Sequence, residues 1–378
     1  MKNVILFLTA AALILGSCCL TTAMAQTPAQ TPEGGDSQKR VVMLISSNGT
    51  EQAPELSYDL EELAQAYLVL HDNGVQVDIM SPKGGPVLVK NNKDDLAFIQ
   101  RFKQLALSQL ENTLAPAAVN INDYDALFVI GGAGAMIDLP ADAATQTLLS
   151  SAVTRDMTIT AVCHGPAALV NLHTADGSWF VEGKRMNSFT NTEEHAFSAE
   201  QIEHFPFLLE DKLKERGAIF VNNAPMLPHV AVDGNLITAQ NPGSVAKAAE
   251  ATVLALGLPL QAREAFTDEA TMELISKARE TGAAMLDLAL ARDTESYDMN
   301  YLALYGFYAY RIADTQDKPR ELTLMQTIRK YFSHPEYDTQ LILNLLEQGQ
   351  RDAALKVFEE FKARFAEHAN IMKLESAF

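Results

Sequence analysis

Between Met157 and Leu169 the chain reads MTITAVCHGPAAL, a stretch that few folds can accommodate. The β-type run Thr158 to Val162 predicts a strand. Pro166 then predicts a helix, because a proline in the first helical turn has no N–H partner to lose there. The corner between strand and helix holds one cysteine, Cys163. Such a corner projects a side chain at the C-terminal edge of a sheet, the arrangement of a nucleophile elbow. The helix N-terminus adds unsatisfied N–H groups and a partial positive charge, which favour thiolate over thiol. A free cysteine is otherwise most often a small buried hydrophobe. The adjacent His164 and Gly165, in their strand–turn–helix setting, weigh against that plainer reading.

The flanking sequence predicts the sheet this corner needs. Arg40 to Ser46 (RVVMLIS) is a continuous apolar run, as in a central parallel strand buried on both faces. Leu60 to Leu70 has helical periodicity and closes at Asn73-Gly74. Val75 to Met80 is a second strand, and a helix follows over Leu96 to Leu110. Tyr124 to Ile130 (YDALFVI) is a third strand, breaking into Gly131-Gly132-Ala133-Gly134. The helix Ala141 to Thr154 leads back to the strand before Cys163. Strands alternating with helices imply an α/β class fold, with right-handed crossovers and a mainly parallel sheet covered on both faces. From Trp179 the texture changes. Phe180 to Phe189 and His229 to Ala239 are β-rich, and Asp233-Gly234 signals a hairpin. Asn241-Pro242 opens the helix Gly243 to Leu256, and Gly257 with Pro259 ends it.

Residues 262–378 are helical in pattern and predict an all-α module separate from the body at 39–260. Leu322, Leu324, Met325, Ile328 and Phe332 line up with Leu355, Val357, Phe358, Phe361 and Phe365, 33 residues on. That period is similar to tetratricopeptide (TPR) helix pairs, which bury their apolar faces by stacking. A plain helical bundle is the other reading. Cutting the chain after about Ala262 is expected to leave a soluble domain that keeps its catalytic rate.

Residues 1–25 have the layout of a signal peptide: Lys2, an apolar run from Val4 to Leu15, and Ala23-Met24-Ala25 as a cleavage site. Leu15-Gly16-Ser17-Cys18 is at the same time similar to a bacterial lipobox, which makes Cys18 a candidate lipid anchor. The polar tract 26–38 suits a disordered linker in either case. Both readings take the protein out of a bacterial cytoplasm, to the periplasm or a membrane-anchored lipoprotein. Of the 3 cysteines, two belong to that leader, so Cys163 has no disulfide partner in the folded part. A formal net charge of -19 argues against nucleic acid and anionic membrane surfaces as partners.

A cysteine nucleophile needs a base and a group to reprotonate the bonded carbonyl. His164 is adjacent. Glu61-Glu62 opens the helix after the first strand, near the sheet edge where α/β sites gather. Glu193-Glu194 follows Phe189-Thr190-Asn191. The plain reading of either pair is a solvated helix start, since acidic residues are seldom buried. The Gly131 to Gly134 turn offers backbone N–H groups as an oxyanion hole and matches neither a P-loop nor a dinucleotide fingerprint. His173, His195, His204 and His229 lack metal-ligand spacing with a cysteine, so no structural zinc is expected.

AVCHGPAAL, FTNTEE, SPKGG at Ser81 to Gly85, IGGAGAMIDLP at Ile130 to Pro140 and DGNLITAQNPGS at Asp233 to Ser244 occur in this order. Together they resemble the DJ-1/PfpI superfamily, closest to its glyoxalase III (D-lactate dehydratase) and chaperone branch. The resemblance covers about 39–260 and implies a flavodoxin-like sandwich, usually dimeric. It implies Cys163 as nucleophile, His164 and Glu194 as its triad partners, and Glu62 as the acid at the thiol. It also implies an oxyanion hole at Gly132 and the following turn. Ala133 stands where that branch usually has a histidine. The function implied is a cofactor-independent conversion of a small reactive aldehyde of the methylglyoxal type, needing no metal. The alternatives are a thiol-dependent amidase or peptidase of the same fold, and a non-catalytic chaperone or scaffold binding a protein partner through the C-terminal helices.

Overall fold

The computed structural model describes residues 38–88 and 93–378. The leader, Cys18 and nearly all of the polar tract lie outside the described residues.

The chain runs β1 (Arg40–Leu44), α1 (Leu60–Asp72), β2 (Gln76–Met80), α2 (Ala97–Glu111), β3 (Ala126–Val129), α3 (Ala143–Thr154) and β4 (Thr158–Val162). There follow β5 (Arg185–Met186), α4 (Asn191–Phe197), α5 (Leu209–Glu215), β6 (Ile219–Phe220), β7 (Val230–Asp233), β8 (Leu236–Ala239) and α6 (Val245–Ala255). The main sheet has the order β2-β1-β3-β4-β8-β7, parallel throughout except for β7 at its edge. Period-2 alternation sorts its side chains. Val41, Met43 and Ile45 face a core built with α1, α2 and α6, while Val42 and Leu44 face one built with α3. Each such side chain taken fully out of water contributes about 1.5–3 kcal/mol before chain entropy is counted. This is the flavodoxin-like sandwich that the strand–helix alternation predicts.

The β-rich reading of Phe180 to Phe189 is corrected: only Arg185–Met186 forms a strand, pairing with β6 in a separate two-stranded sheet. Gly183, at φ +72, turns the chain just before it, and its N–H donates to Gly217 O over 2.9 Å. Trp179 instead lies under the Arg216 guanidinium, 3.6 Å from ring centroid to carbon.

Beyond α6 come α7 (Thr267–Thr281), α8 (Ala283–Arg292), α9 (Met299–Ile312), α10 (Lys318–Ile328), α11 (Pro335–Glu347), α12 (Arg351–Arg364) and α13 (Asn370–Glu375). All but the last residue of each matched row fall on α10 and α12, where Leu322, Met325, Ile328, Phe358 and Phe361 are buried while Leu355 is exposed. Their core also takes in Met226 and Leu227 from the loop before β7. Polar contacts join the same two parts. Gln65 Nε2 on α1 donates to both oxygens of the buried Asp268 at 2.9 and 2.8 Å. Arg263 bridges Glu250 on α6 and Glu269 on α7, at 2.9 and 2.7 Å. Gln38 to Phe378 thus pack as one compact unit. No helix among the described residues is long and apolar enough to cross a membrane.

Candidate active site

Cys163 follows the last residue of β4 and sits at φ +55, the left-handed region that a side chain rarely adopts. Holding a residue there costs on the order of 1–3 kcal/mol, so the surroundings must over-determine it. They do so from two sides: Cys163 N–H donates to Ala239 O of β8 at 2.8 Å, and Phe189 N–H donates to Cys163 O at 2.9 Å. The corner that Val162-Cys163-His164-Gly165 predicts is present. The helix after it differs from expectation, being a five-residue 3-10 turn, Gly165–Leu169, rather than an α-helix. It is wedged against β3, where a Cβ on Gly165 would stand 2.6 Å from Val129 O.

His164 lies beside the thiol, with Sγ to Nδ1 3.4 Å. Its Nε2 is 2.9 Å from Glu194 Oε2. An Nε2–H donated to the carboxylate leaves the Nδ1 lone pair turned to the sulfur, as a proton acceptor needs. The imidazole is flanked by Phe189 and Phe205, with ring centroids at 4.8 and 5.8 Å. Glu194 owes its place to α4, which Thr190 opens with a capping box closed by Glu193. Neither acid of that pair is a solvated helix start: both are buried.

Glu62 approaches from the other side. Asp59 caps α1, its Oδ1 accepting from Glu61 N at 2.9 Å and Glu62 N at 3.1 Å. That frees the Glu62 side chain to turn inward, where it is 1% exposed. Its Oε2 accepts Gly131 N–H at 2.9 Å, and the carboxyl lies beside the Cys163 thiol. Oε1 is buried without a protein partner. Burial first, and then the Asp59 charge, push the Glu62 carboxyl well above the usual carboxylate range. Its neighbour Glu61 pairs with Lys93 at 2.7 Å yet is raised to about 7, chiefly by burial.

The expectation that a helix N-terminus lowers the thiol pKa is corrected. The short 3-10 turn has little dipole to offer, and burial, followed by the Glu62 charge, pushes Cys163 upward. The Glu62 charge opposes the thiolate, and a proton on Glu62 removes that opposition.

The glycine turn closes the wall. A Cβ on Gly131 would stand 2.7 Å from Cys163 Cβ and 2.7 Å from Glu62 Oε2. Gly132, at φ +91, would meet Asp59 N at 2.5 Å. Ala133, half-buried, begins the short turn that follows. The structure therefore brings Cys163, His164, Glu62, Glu194, Gly132 and Ala133 to one edge of the sheet. Residues of the C-terminal helices come close as well. Met272, Tyr301 and Leu304 share with Phe189, Phe197 and Met226 the lining of a cavity of about 210 Å³. Sequence reading missed this, because no local pattern ties α7 and α9 to Phe189. It also passed over Asp59 and gave Glu193 no role of its own, though the capping pattern of each is visible in the chain. Among the described residues no group of three or more His, Cys, Asp or Glu side chains is placed to hold a metal.

Comparison with known proteins adds to this geometry. The DJ-1/PfpI family profile matches residues 39–254. The "glutathione-independent glyoxalase hsp3101" of Schizosaccharomyces pombe is 29% identical over 214 residues, spanning 51% of this chain and 84% of the yeast protein. The "glutathione-independent glyoxalase HSP31" of Saccharomyces cerevisiae is 32% identical over 159 residues, 39% of this chain and 66% of that one. Among solved structures, the 24 kDa rapid encystment protein of Francisella tularensis superposes with a TM-score of 0.53 at 30% identity, covering 58% of this chain and 99% of its own. Glyoxalase III of Candida albicans has the same fold, with a TM-score of 0.51 at 21% identity over 57% of this chain and 97% of its own.

Proposed function

The chain belongs to the DJ-1/PfpI family, and from that premise we propose that it converts a small 2-oxoaldehyde of the methylglyoxal type into a 2-hydroxy acid without a cofactor. The observation that carries this reading is the buried Cys163 thiol with Glu62 on one side and the His164–Glu194 pair on the other. Relatives named glutathione-independent glyoxalases support the substrate class.

In this reading the Cys163 sulfur adds to the aldehyde carbon while its proton passes to Nδ1 of His164. The hemithioacetal oxygen is met by backbone N–H groups of the turn from Gly132 to Ala133, since Gly131 N–H is already given to Glu62. The carbon-bound proton is then removed from the former aldehyde carbon, and a proton is delivered to the neighbouring carbon. Glu62 is suited to one of these transfers and His164 to the other, because burial pushes the carboxyl well above the usual carboxylate range and so favours its protonated, proton-donating form. The product of this isomerisation is a thioester of the 2-hydroxy acid. Water attacks it, releasing the acid and returning the thiol. The overall change adds one water and needs no external oxidant or reductant.

The test is incubation of the purified chain with methylglyoxal in glutathione-free buffer, with lactate measured by a stereospecific assay. D-lactate formed in proportion to the aldehyde lost is the expected result. Loss of aldehyde without lactate would mean simple glycation of the protein and would remove the proposal.

A further inference from the structure

Glu193 adjoins the acid of the relay and is itself inaccessible to solvent. Its Oε2 accepts from Thr190 N at 3.0 Å, Thr190 Oγ1 at 2.7 Å and Gln240 Nε2 at 3.1 Å. Its Oε1 accepts from Met226 N at 2.8 Å and Asn241 Nδ2 at 2.9 Å. These donors come from three separate stretches of chain. Thr190 caps the helix that carries Glu194, Gln240 and Asn241 follow β8, and Met226 lies in the loop before β7. Strand β8 is the one whose Ala239 carbonyl holds the Cys163 N–H. One carboxylate thus clamps the helix bearing Glu194 to the strand end that fixes the elbow.

The Met226 contact leads further. Met226 has φ +70 and, with Asp156 and Cys163, is one of three described non-glycine residues in the left-handed region. Its side chain and that of Leu227 belong to the core of the C-terminal helices. Asn241 Nδ2 also donates to Leu227 O at 2.9 Å. The loop is therefore pinned by apolar packing from the helices and by hydrogen bonds from Glu193 and Asn241. A strained backbone of this kind persists only where its surroundings enforce it.

We propose that Glu193 is a positioning residue for the Cys163–His164–Glu194 relay, and that through Met226 it transmits the packing of the C-terminal helices to the site. Any rotation of α4 shifts Glu194 Oε2 against His164 Nε2, now 2.9 Å apart, and turns Nδ1 away from the sulfur. Burial pushes the Glu193 carboxyl upward, and the donors from Asn241, Thr190 and Met226 oppose that push only while they stay in place. The proposal rests on the nucleophile reading above.

The experiment uses the full chain carrying Glu193→Gln or Met226→Ala. It measures kcat and KM for methylglyoxal and the rate of Cys163 alkylation by iodoacetamide as a function of pH. Glu193→Gln turns one acceptor into a donor facing donors, while Met226→Ala keeps the N–H and removes the anchor in the helices. Expected for Glu193→Gln is a fall in kcat of about tenfold or more with KM little changed, together with a displaced alkylation profile. Met226→Ala is expected to move both readouts the same way by a smaller factor. An alkylation profile superposable on the unsubstituted chain in both variants overturns the proposal, whatever kcat does. If Glu193→Gln does not fold, Met226→Ala decides alone by the same criterion. If the unsubstituted chain fails to turn over methylglyoxal, the substrate reading falls while the alkylation profiles still decide this one.

Discussion

Cys163→Ser is expected to reduce methylglyoxal turnover by on the order of a thousandfold or more while leaving the fold intact. The exchange is nearly isosteric, and the backbone bonds to Ala239 and Phe189 that hold the corner involve no side-chain atom. What changes is acidity. A serine hydroxyl beside the same Glu62 and His164 gives up its proton far less readily than a thiol, and burial at 4% exposure penalises an alkoxide more severely still. Steady-state turnover and a thermal melt check this together. A serine variant with a wild-type melt and wild-type turnover would remove Cys163 from the chemistry.

Truncation after residue 262 is the second large effect. Chain texture alone, with its shift to all-α and the Gly257 to Pro259 break, leads to the expectation of a body that stands by itself. The contacts in the folded chain lead to a different expected result. The cut uncovers Met226 and Leu227 and strips partners from Gln65 and Glu250. Two apolar side chains returned to water cost about 1.5–3 kcal/mol each, and that is a large share of a marginal stability. It also removes Met272, Tyr301 and Leu304 from the cavity beside Phe189. The truncated body is therefore expected to melt several degrees lower and to lose about tenfold or more in kcat. Differential scanning calorimetry and kinetics on the purified 38–262 fragment measure both. Full activity and an unchanged melt would show that the helices are a dispensable attachment.

Much of the site was legible in the chain because its parts are local. Val162-Cys163-His164-Gly165-Pro166 forces a corner by itself, Gly131 can approach Cys163 only for want of a Cβ, and Gly132 can approach the Ser57 to Asp59 backbone for the same reason. Asp59 with Glu61-Glu62, and Thr190 with Glu193-Glu194, carry N-capping patterns that fix where these helices start and so where their acids stand. What was illegible depends on distant partners. The 3-10 form of Gly165–Leu169 comes from packing against β3. The upward push on the thiol comes from burial and from Glu62, far away in sequence. Glu193 looks like half of an acidic pair until Gln240, Asn241 and Met226 fold onto it. The reach of the C-terminal helices to Phe189 and Met226 has no sequence signal at all, since apolar periodicity marks a buried face without naming what covers it.

The proposed reaction requires a covalent bond between Cys163 and the aldehyde, and rapid-quench intact-mass measurement tests that bond directly. The chain is mixed with methylglyoxal, quenched in acid within the first turnover, and mapped by peptide. The predicted result is a single adduct of one aldehyde on the peptide containing Cys163, which forms before lactate appears and decays as lactate is released. Lactate produced with no such adduct, or adducts confined to lysine and arginine side chains, would contradict it.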